Sequence, residues 1–275
     1  MPVIAMTREM GSLGKDVAAA LAEKLGVTLV HHEIIDVLAD KMRVRKSHVT
    51  RLLEGQASLL ERLTADKTSL SIFTAAEICA LAMKEGGAVF RGWGAAHVLR
   101  GIPHVACVRV CAPFELRTRR MMERLKTDDV ARVEEEIRNS DEAQTAVIRR
   151  NFQVDWTDAM HYDLVLNTEK VSTARCVDEI LGLVRSPEFA ETEASRQALA
   201  DLALQTRARA ALRTDPSTRS LRISVTADQG RLTLAGVVDK SEERGRAESI
   251  AGAVQGAVEV VNSLRAGSEM RARFS

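Results

Sequence analysis

The sequence predicts a three-layer α/β domain on a mostly parallel five-stranded sheet, followed by a small α+β domain. Three observations carry that reading. Short apolar runs alternate with helix-period segments over the first two thirds of the chain, as parallel sheets covered by helices require. The first apolar run enters a glycine turn that carries a lysine. Beyond residue 193 the pattern changes to period-two strands flanked by helices. A chain of 275 residues has room for one sizeable core and a second, smaller one.

Pro2-Val3-Ile4-Ala5-Met6 reads as a buried strand and Gly11 with Gly14 as a tight turn. Val17, Ala18, Leu21, Ala22 and Leu25 fall at helical spacing, and Gly26 is a natural stop. Val27–Val30 reads as a second strand, His31-His32 as a turn, and Val37–Lys84 as helical up to Gly86-Gly87. Ala88-Val89-Phe90 is a short buried strand leading into Arg91-Gly92-Trp93-Gly94. His104–Cys111 is the next strand, closed by Ala112-Pro113, where proline suits the start of a helix. Helices follow over Phe114–Leu125 and Asp128–Phe152. Asp163–Thr168 is a strand, and Ser172 caps a helix that runs to Val184.

Polar residues 186–193 read as a linker, giving a first domain over 1–185 and a second over 194–266. In the second, Ala194–Leu212 is an Ala/Leu-rich helix. Ser220–Thr226 and Arg231–Val238 form a hairpin about the Asp228-Gln229-Gly230 turn. A helix over Ser241–Val254 and a strand over Val258–Leu264 complete it, and the 267–275 tail is expected to fray. A chain lacking residues 190–275 is expected to keep a folded first domain.

Lys and Arg total 39 against 38 Asp and Glu, a net charge of +1, so there is no basic surplus for a generic nucleic-acid binder. Aromatic residues make up 3% of the chain, too few for base-stacking platforms. No stretch approaches the ~20 apolar residues of a membrane-spanning helix, and the N-terminus lacks a signal-peptide pattern. Cys79, Cys107, Cys111 and Cys176 are scattered, with no C-x-x-C pair. They read as buried, reduced thiols of a cytoplasmic protein.

A strand, a glycine turn and a helix together aim backbone N–H groups and a helix N-terminus at an anion. Against the phosphate-loop pattern G-x-x-x-x-G-K-[ST], alignment on Gly14-Lys15 places Glu9 at the first glycine and Asp16 at the hydroxyl. The match is half. These residues alone leave two readings, a phosphate loop or a plain strand–turn–helix with Lys15 solvated. Arg117 and Arg120 share a helix face at i, i+3 and can converge on phosphates, the alternative being a solvated face. Arg91 follows the C-terminal end of a strand, where ligands bind in open α/β sheets.

Thr7-Arg8-Glu9-Met10-Gly11-Ser12-Leu13-Gly14-Lys15-Asp16-Val17-Ala18, continuing through Leu21-Ala22-Glu23-Lys24-Leu25-Gly26, resembles the opening of the cytidylate kinase-like family, a P-loop nucleoside monophosphate kinase branch. Acidic residues where Glu9 and Asp16 stand are similar to that family's usage. The resemblance continues in order through Val89-Phe90-Arg91-Gly92, through Val108–Arg120, and through Ile137-Arg138-Asn139-Ser140-Asp141. It ends with Phe152–Asp158 and Tyr162–Thr168, its most specific stretch. This chain departs from the family pattern at Leu13 and Phe90, where glycines are expected, and at Glu142-Ala143-Gln144 after the lid aspartate.

The resemblance implies phosphoryl transfer from ATP, with Mg²⁺, to a CMP-like monophosphate. The catalytic residues it implies are Lys15, Arg117, Arg120, Arg138 and Asp141. Gly11, Ser12, Leu13, Gly14, Lys15 and Asp16 would cradle the donor, with Arg149 and Arg150 on a lid above it. Arg91 and Asp36 would face the acceptor. Asp16 either holds Mg²⁺ through water or supports the helix electrostatically, the second being preferred, and the metal ligands stay open. Ile223-Ser224-Val225, Gly230, Leu232–Val238 and Gly256–Asn262 resemble a BON domain, which implies a lipid or protein partner. The competing expectation is a catalytically weak nucleotide sensor that passes its state to the BON-like module.

Overall fold

The computed structural model describes residues 2–31, 33–42, 44–53, 66–92 and 94–267. His32, Trp93, residues 54–65 of the long helical reading and residues 268–275 of the tail lie outside the described residues. The chain divides into two compact units, Met1–Asp66 with Lys84–Thr192, and Lys67–Met83 with Glu193–Ser275. The first is thus not contiguous, which differs from the simple boundary drawn near residue 190. Lys67–Met83 belongs with the C-terminal part of the chain.

In the first unit, five strands lie in the order β2-β3-β1-β4-β5, and every neighbouring pair is parallel. They are β1 (Val3–Arg8), β2 (Thr28–Val30), β3 (Ala88–Arg91), β4 (Val105–Cys111) and β5 (Leu164–Asn167). β1 is central, with Val3 opposite both Ala88 and Val105. Its first five residues are buried, which is why it reads as an unbroken apolar run rather than an alternating one.

Helix α1 (Gly14–Leu25) lays Val17, Ala18, Leu21 and Ala22 onto Ile4, Met6 and Val108. It ends at Gly26, whose left-handed backbone returns its N–H to Ala22 and Glu23. α2 (Glu33–Met42) and α3 (Lys46–Leu53) follow β2. A five-residue helix, α5 (Ala95–Leu99), leaves the end of β3. α6 (Phe114–Leu125) starts after Pro113, and α7 (Val130–Phe152) is capped by Asp129, which accepts the Arg132 N–H. α8 (Thr173–Val184) is capped by Ser172 and adds Val177, Ile180 and Leu181 to the α1 face of the sheet.

The second unit holds α4 (Lys67–Ala82), α9 (Glu193–Thr214), β6 (Ser224–Asp228), β7 (Arg231–Val238), α10 (Ser241–Gly252) and β8 (Glu259–Ala266). β6 and β7 form the expected hairpin, with Asp228 opposite Arg231. Gln229 and Gly230 both have positive φ, as a two-residue turn between twisted strands needs. β8 returns parallel to β7 after α10. Leu204, Ala208 and Leu212 of α9 pack with Val225, Leu232, Leu234 and Leu264 of this sheet.

All four cysteines are free thiols. Burial pushes Cys79 up to about 11 and Cys107 up to about 12, so neither is a nucleophilic thiolate at neutral pH. Among the described residues no helix is long and apolar enough to cross a membrane.

Candidate functional site

The loop between β1 and α1 opens at the C-terminal end of the central strand, where the chain order reverses to β3 on one side and β4 on the other. That reversal is the crevice open α/β sheets use for ligands. Two glycines are sterically required there. A Cβ on Gly11 would sit 2.8 Å from the Arg117 carbonyl oxygen, and one on Gly14 would sit 2.6 Å from Arg8 Cβ. Ser12 is fully buried, and its hydroxyl donates to the Glu9 carbonyl at 2.8 Å.

Leu13 adopts φ 61° and ψ 8°, the left-handed region, where the family opening carries glycine. A Cβ there costs roughly 1–2 kcal/mol. Leu13→Gly is therefore expected to raise the unfolding free energy by up to about 1 kcal/mol, because glycine's greater freedom in the unfolded chain offsets part of the relief. Urea unfolding measures this. A destabilised variant would show that the leucine side chain contributes more packing than its backbone costs.

Glu9, at the first-glycine position of the general pattern, anchors the loop. Its carboxylate accepts from Arg109 Nη2 at 2.6 Å and from the Ala112 N–H at 3.1 Å, and Arg117 Nε lies 3.5 Å away. The three side chains are only 8–12% exposed. The Arg109 guanidinium also donates to the Thr157 carbonyl and lies over the Trp156 ring, 5.4 Å from its centroid. One carboxylate thus ties two buried guanidiniums and a backbone N–H together, while Arg109 Nε and Arg117 Nε are buried without a hydrogen-bond partner among the described residues. Sequence reasoning assigned no site role to Glu9 or Arg109. The available signal was a charged residue in the apolar run Val105–Cys111, with an acid at the matching end of β1.

Arg117 grips Asp141 of α7 with both terminal nitrogens, at 3.2 and 2.9 Å, and donates to the Met10 carbonyl at 3.3 Å. Arg120 donates to the Thr168 hydroxyl at 2.9 Å and to its carbonyl at 2.8 Å, and the Thr168 hydroxyl donates to the Ser12 carbonyl at 2.9 Å. Both arginines expected at the phosphates lie on α6 and are thus spent on holding the loop, one through Asp141 of α7 and one through Thr168 just past β5. Lys15 and Asp16 are exposed in the first turn of α1, where backbone N–H groups lack intrahelical acceptors. Neither makes a side-chain hydrogen bond or ion pair among the described residues.

α7 packs on α6 and reaches the residues around the loop along much of its length. Its Val133 and Ile137 pack with Met121, Phe114 and Met10. Asp141 meets Arg117, and the Thr145 hydroxyl accepts from Trp156 Nε1 at 2.9 Å. At its far end the Phe152 ring rests on Gly94, 2.7 Å from where a Cβ would stand. Arg138 is outside this row, paired with Glu134 at 2.8 Å and lying over the Phe114 ring. Arg149 and Arg150 are exposed. The structure therefore brings Gly11, Ser12, Leu13, Gly14, Arg117, Arg120 and Asp141 together and leaves Arg138, Arg149 and Arg150 outside that network.

On the acceptor side, Arg91 ends β3 opposite Met6 and is 7% exposed. Asp36 is exposed on α2 and pairs with Lys46 at 2.8 Å, a surface ion pair of small worth. Beyond Gly94, the His97 ring lies 5.3 Å from Phe152, 5.9 Å from His161 and 6.0 Å from Tyr162, centroid to centroid. Burial, and then the charges of His161 and Arg100, push His97 down to about 4.

The unfolded chain therefore binds a proton at His97 that the folded one refuses. The stability linked to His97 is complete above the ordinary histidine value of about 6.5 and is lost as pH falls toward 4. His97→Gln should flatten that part of the acid-unfolding profile, read by urea unfolding at several pH values. An unchanged slope would clear His97 of the effect.

Mg²⁺ accompanying a triphosphate needs one or two protein carboxylates, with phosphates and waters completing its shell. Among the described residues no group of three His, Cys, Asp or Glu side chains gathers to hold a metal by itself. Glu9 and Asp141 are committed to arginines. Asp16 alone of the loop acids is exposed and unengaged, so it is the residue that would hold the ion, directly or through water.

Residues 3–170 match the model of the cytidylate kinase-like family, and residues 200–268 match the BON domain. A crystal structure of an uncharacterized protein from Eubacterium ventriosum aligns at TM-score 0.53 and 22% identity, covering 68% of this chain and 99% of that one. Shikimate kinase from Acinetobacter baumannii, solved with shikimate, aligns at 0.42 and 16%, covering 69% and 96%. Shikimate kinase from Bacteroides thetaiotaomicron aligns at 0.38 and 16%, covering 67% and 99%. The first likeness supports the fold alone. No curated protein matches the chain.

Proposed function

The chain belongs to the cytidylate kinase-like family, and from that premise we propose that its first unit transfers the γ-phosphoryl group of ATP to a nucleoside monophosphate, with a CMP-like acceptor. The observation that carries this is Lys15. It is exposed and unengaged at the mouth of a glycine loop around which Arg109, Arg117 and Arg120 are spent on building the loop.

Phosphoryl transfer asks a protein for positioning and for charge beside the equatorial oxygens, with little covalent chemistry of its own. Lys15 supplies a mobile cation for the β- and γ-phosphates. The first turn of α1 and the loop backbone supply N–H groups. Mg²⁺, when bound, would neutralise charge on the phosphates, and Asp16, read from the sequence first as an electrostatic support of α1, would be the side chain to hold it. Glu9, Arg109, Arg117, Arg120 and Thr168 act as positioning residues that keep the loop in shape. Arg91, at the C-terminal end of β3, would orient the acceptor phosphate, and Asp36 would face the acceptor's sugar or base. Arg149 and Arg150, exposed on the last turns of α7, would reach the donor on lid movement, as would Arg138 once released from Glu134.

Two observations favour a second reading, a nucleotide-binding sensor with weak transfer. Leu13 holds the loop in a strained conformation, and neither Arg117 nor Arg120 is free to follow the transferred group. Under either reading the BON-domain unit binds a lipid or protein partner, and the setting is the cytoplasm, where ATP is supplied. A coupled assay for ADP with Mg-ATP and each monophosphate separates the two. ADP formation that depends on one monophosphate, CMP first among them, is the expected result. ADP formation no faster than in Lys15→Ala, with ATP still bound, would overturn the kinase reading in favour of the sensor.

A further inference from the structure

Helix α4 is encoded within the first unit but folds in the second. Chain before it, through Asp66, and chain after it, from Lys84, both belong to the first unit. The segment it interrupts runs from α2 and α3 into β3, and so carries both residues assigned above to the acceptor, Asp36 and Arg91.

α4 is built to be covered. Leu70, Phe73, Ala76, Ile78, Cys79, Leu81 and Ala82 are buried, spread around the helix rather than along one stripe, and such a helix is stable only inside a core. α9 provides that cover. Arg213 Nε donates to the Ser69 hydroxyl at 2.7 Å, and Thr206 lies beside the Cys79 thiol. Ser69 and Thr206 are 8% and 4% exposed, so these are interior contacts. α9 is buried on two faces. Leu204, Ala208 and Leu212 enter the core beneath the β6-β7-β8 sheet, whereas Ser195, Leu199, Ala203 and Thr206 are buried outside that cluster. A rearrangement of the sheet is therefore felt by α9, and through α9 by α4.

We propose that the C-terminal unit is an allosteric element of the acceptor site, acting through α4, whose two ends are tied to the acceptor-bearing segment. The proposal rests on the acceptor placement given under Proposed function. Whatever stabilises or loosens the packing of α4 on α9 changes the constraint on the 33–91 segment on either side of α4. Acceptor binding that shifts this segment changes the packing of α4 in turn. The coupling is reciprocal by thermodynamic necessity, so a ligand of the BON-domain unit and the acceptor nucleotide alter each other's affinity by the same factor.

Hydrogen exchange on the full chain tests this without any ligand. Arg213→Met and Ser69→Ala each remove the Arg213–Ser69 contact within the second unit, and Arg213→Met also removes the donation to the Arg219 carbonyl. Faster exchange is expected in α4 and α9 and also in α2, α3 and β3, with α1 and α8 unchanged. Acceleration confined to α4 and α9 would overturn the proposal. Nucleotide affinity is measured next on the same variants. CMP affinity is expected to fall about fivefold or more, the lower end of usual allosteric couplings, with ATP affinity unchanged. Equal losses for both nucleotides, or no loss for CMP, would also overturn it. If exchange spreads to α2, α3 and β3 but no monophosphate binds the wild type, the coupling stands and the acceptor assignment fails.

Discussion

Lys15→Ala is expected to lower kcat/KM for phosphoryl transfer by about 10³-fold, the scale on which removing a preorganised charge from a phosphoryl or oxyanion site acts. The structure makes this a large effect for a particular reason. In most sites a lost lysine is partly covered by neighbouring arginines. Here Arg109 is committed to Glu9, Arg117 to Asp141 and Met10, and Arg120 to Thr168. No second cation in that network is free to take over. Because Lys15 is exposed and unengaged, the variant should fold as well as the wild type, with an unchanged thermal midpoint. ATP affinity should weaken much more than monophosphate affinity. Activity within tenfold of wild type would mean that the phosphates are held elsewhere.

Glu9→Gln carries the largest expected stability loss, about 3 kcal/mol or more, because it leaves two buried guanidiniums without their shared carboxylate. The magnitude follows from burial. Glu9 is 11% exposed, beside Arg109 at 12% and Arg117 at 8%, so water cannot restore the lost charge partner. Asp141, the other carboxylate on Arg117, is 28% exposed. Asp141→Asn should therefore cost less, and its effect should concentrate on how α7 sits against the loop. Urea unfolding of the two variants decides the order. A Glu9→Gln variant within about 1 kcal/mol of wild type would mean that the cluster is no more valuable than a surface ion pair.

Much of the first unit was legible because its signals are local. An apolar run, a glycine turn and an i, i+3, i+4 stripe fall within some twenty residues of one another in β1 through α1. The αL cap at Gly26 and the side-chain cap at Ser172 are equally local, as is the two-residue turn of the β6–β7 hairpin. Three features were not local. Leu13 announced itself as a missing glycine, but only the backbone shows that the position requires the left-handed conformation. The roles of Arg117 and Arg120 were read from a shared helix face. Sharing a face does not say what waits opposite, and what waits is Asp141 in one case and Thr168 in the other. Glu9 stands at the first-glycine position of the general pattern with no local sign of its role, because its partner Arg109 is a hundred positions away.

The boundary between the units shows the same division. Composition located a polar break near residue 190, and the family and BON-domain matches fall on either side of it. The helical reading of 67–82 was also sound, but its placement was not available from pattern. A chain cut at 190 would keep α4 and lose α9, uncovering Leu70, Phe73, Ile78 and Leu81.

By itself the sequence determined the order of strands and helices, the loop that ends at Lys15, and the family to which the first unit belongs. Each of these is written in residues close together or in a fixed order along the chain. Only the tertiary structure decided that Glu9 builds the loop, that Arg117 and Arg120 hold it rather than stand free, and that α4 joins the C-terminal unit. The physical reason is common to all three. A buried charge and an all-round apolar helix both state that they need a partner, and neither states which one. That choice is made when distant segments meet.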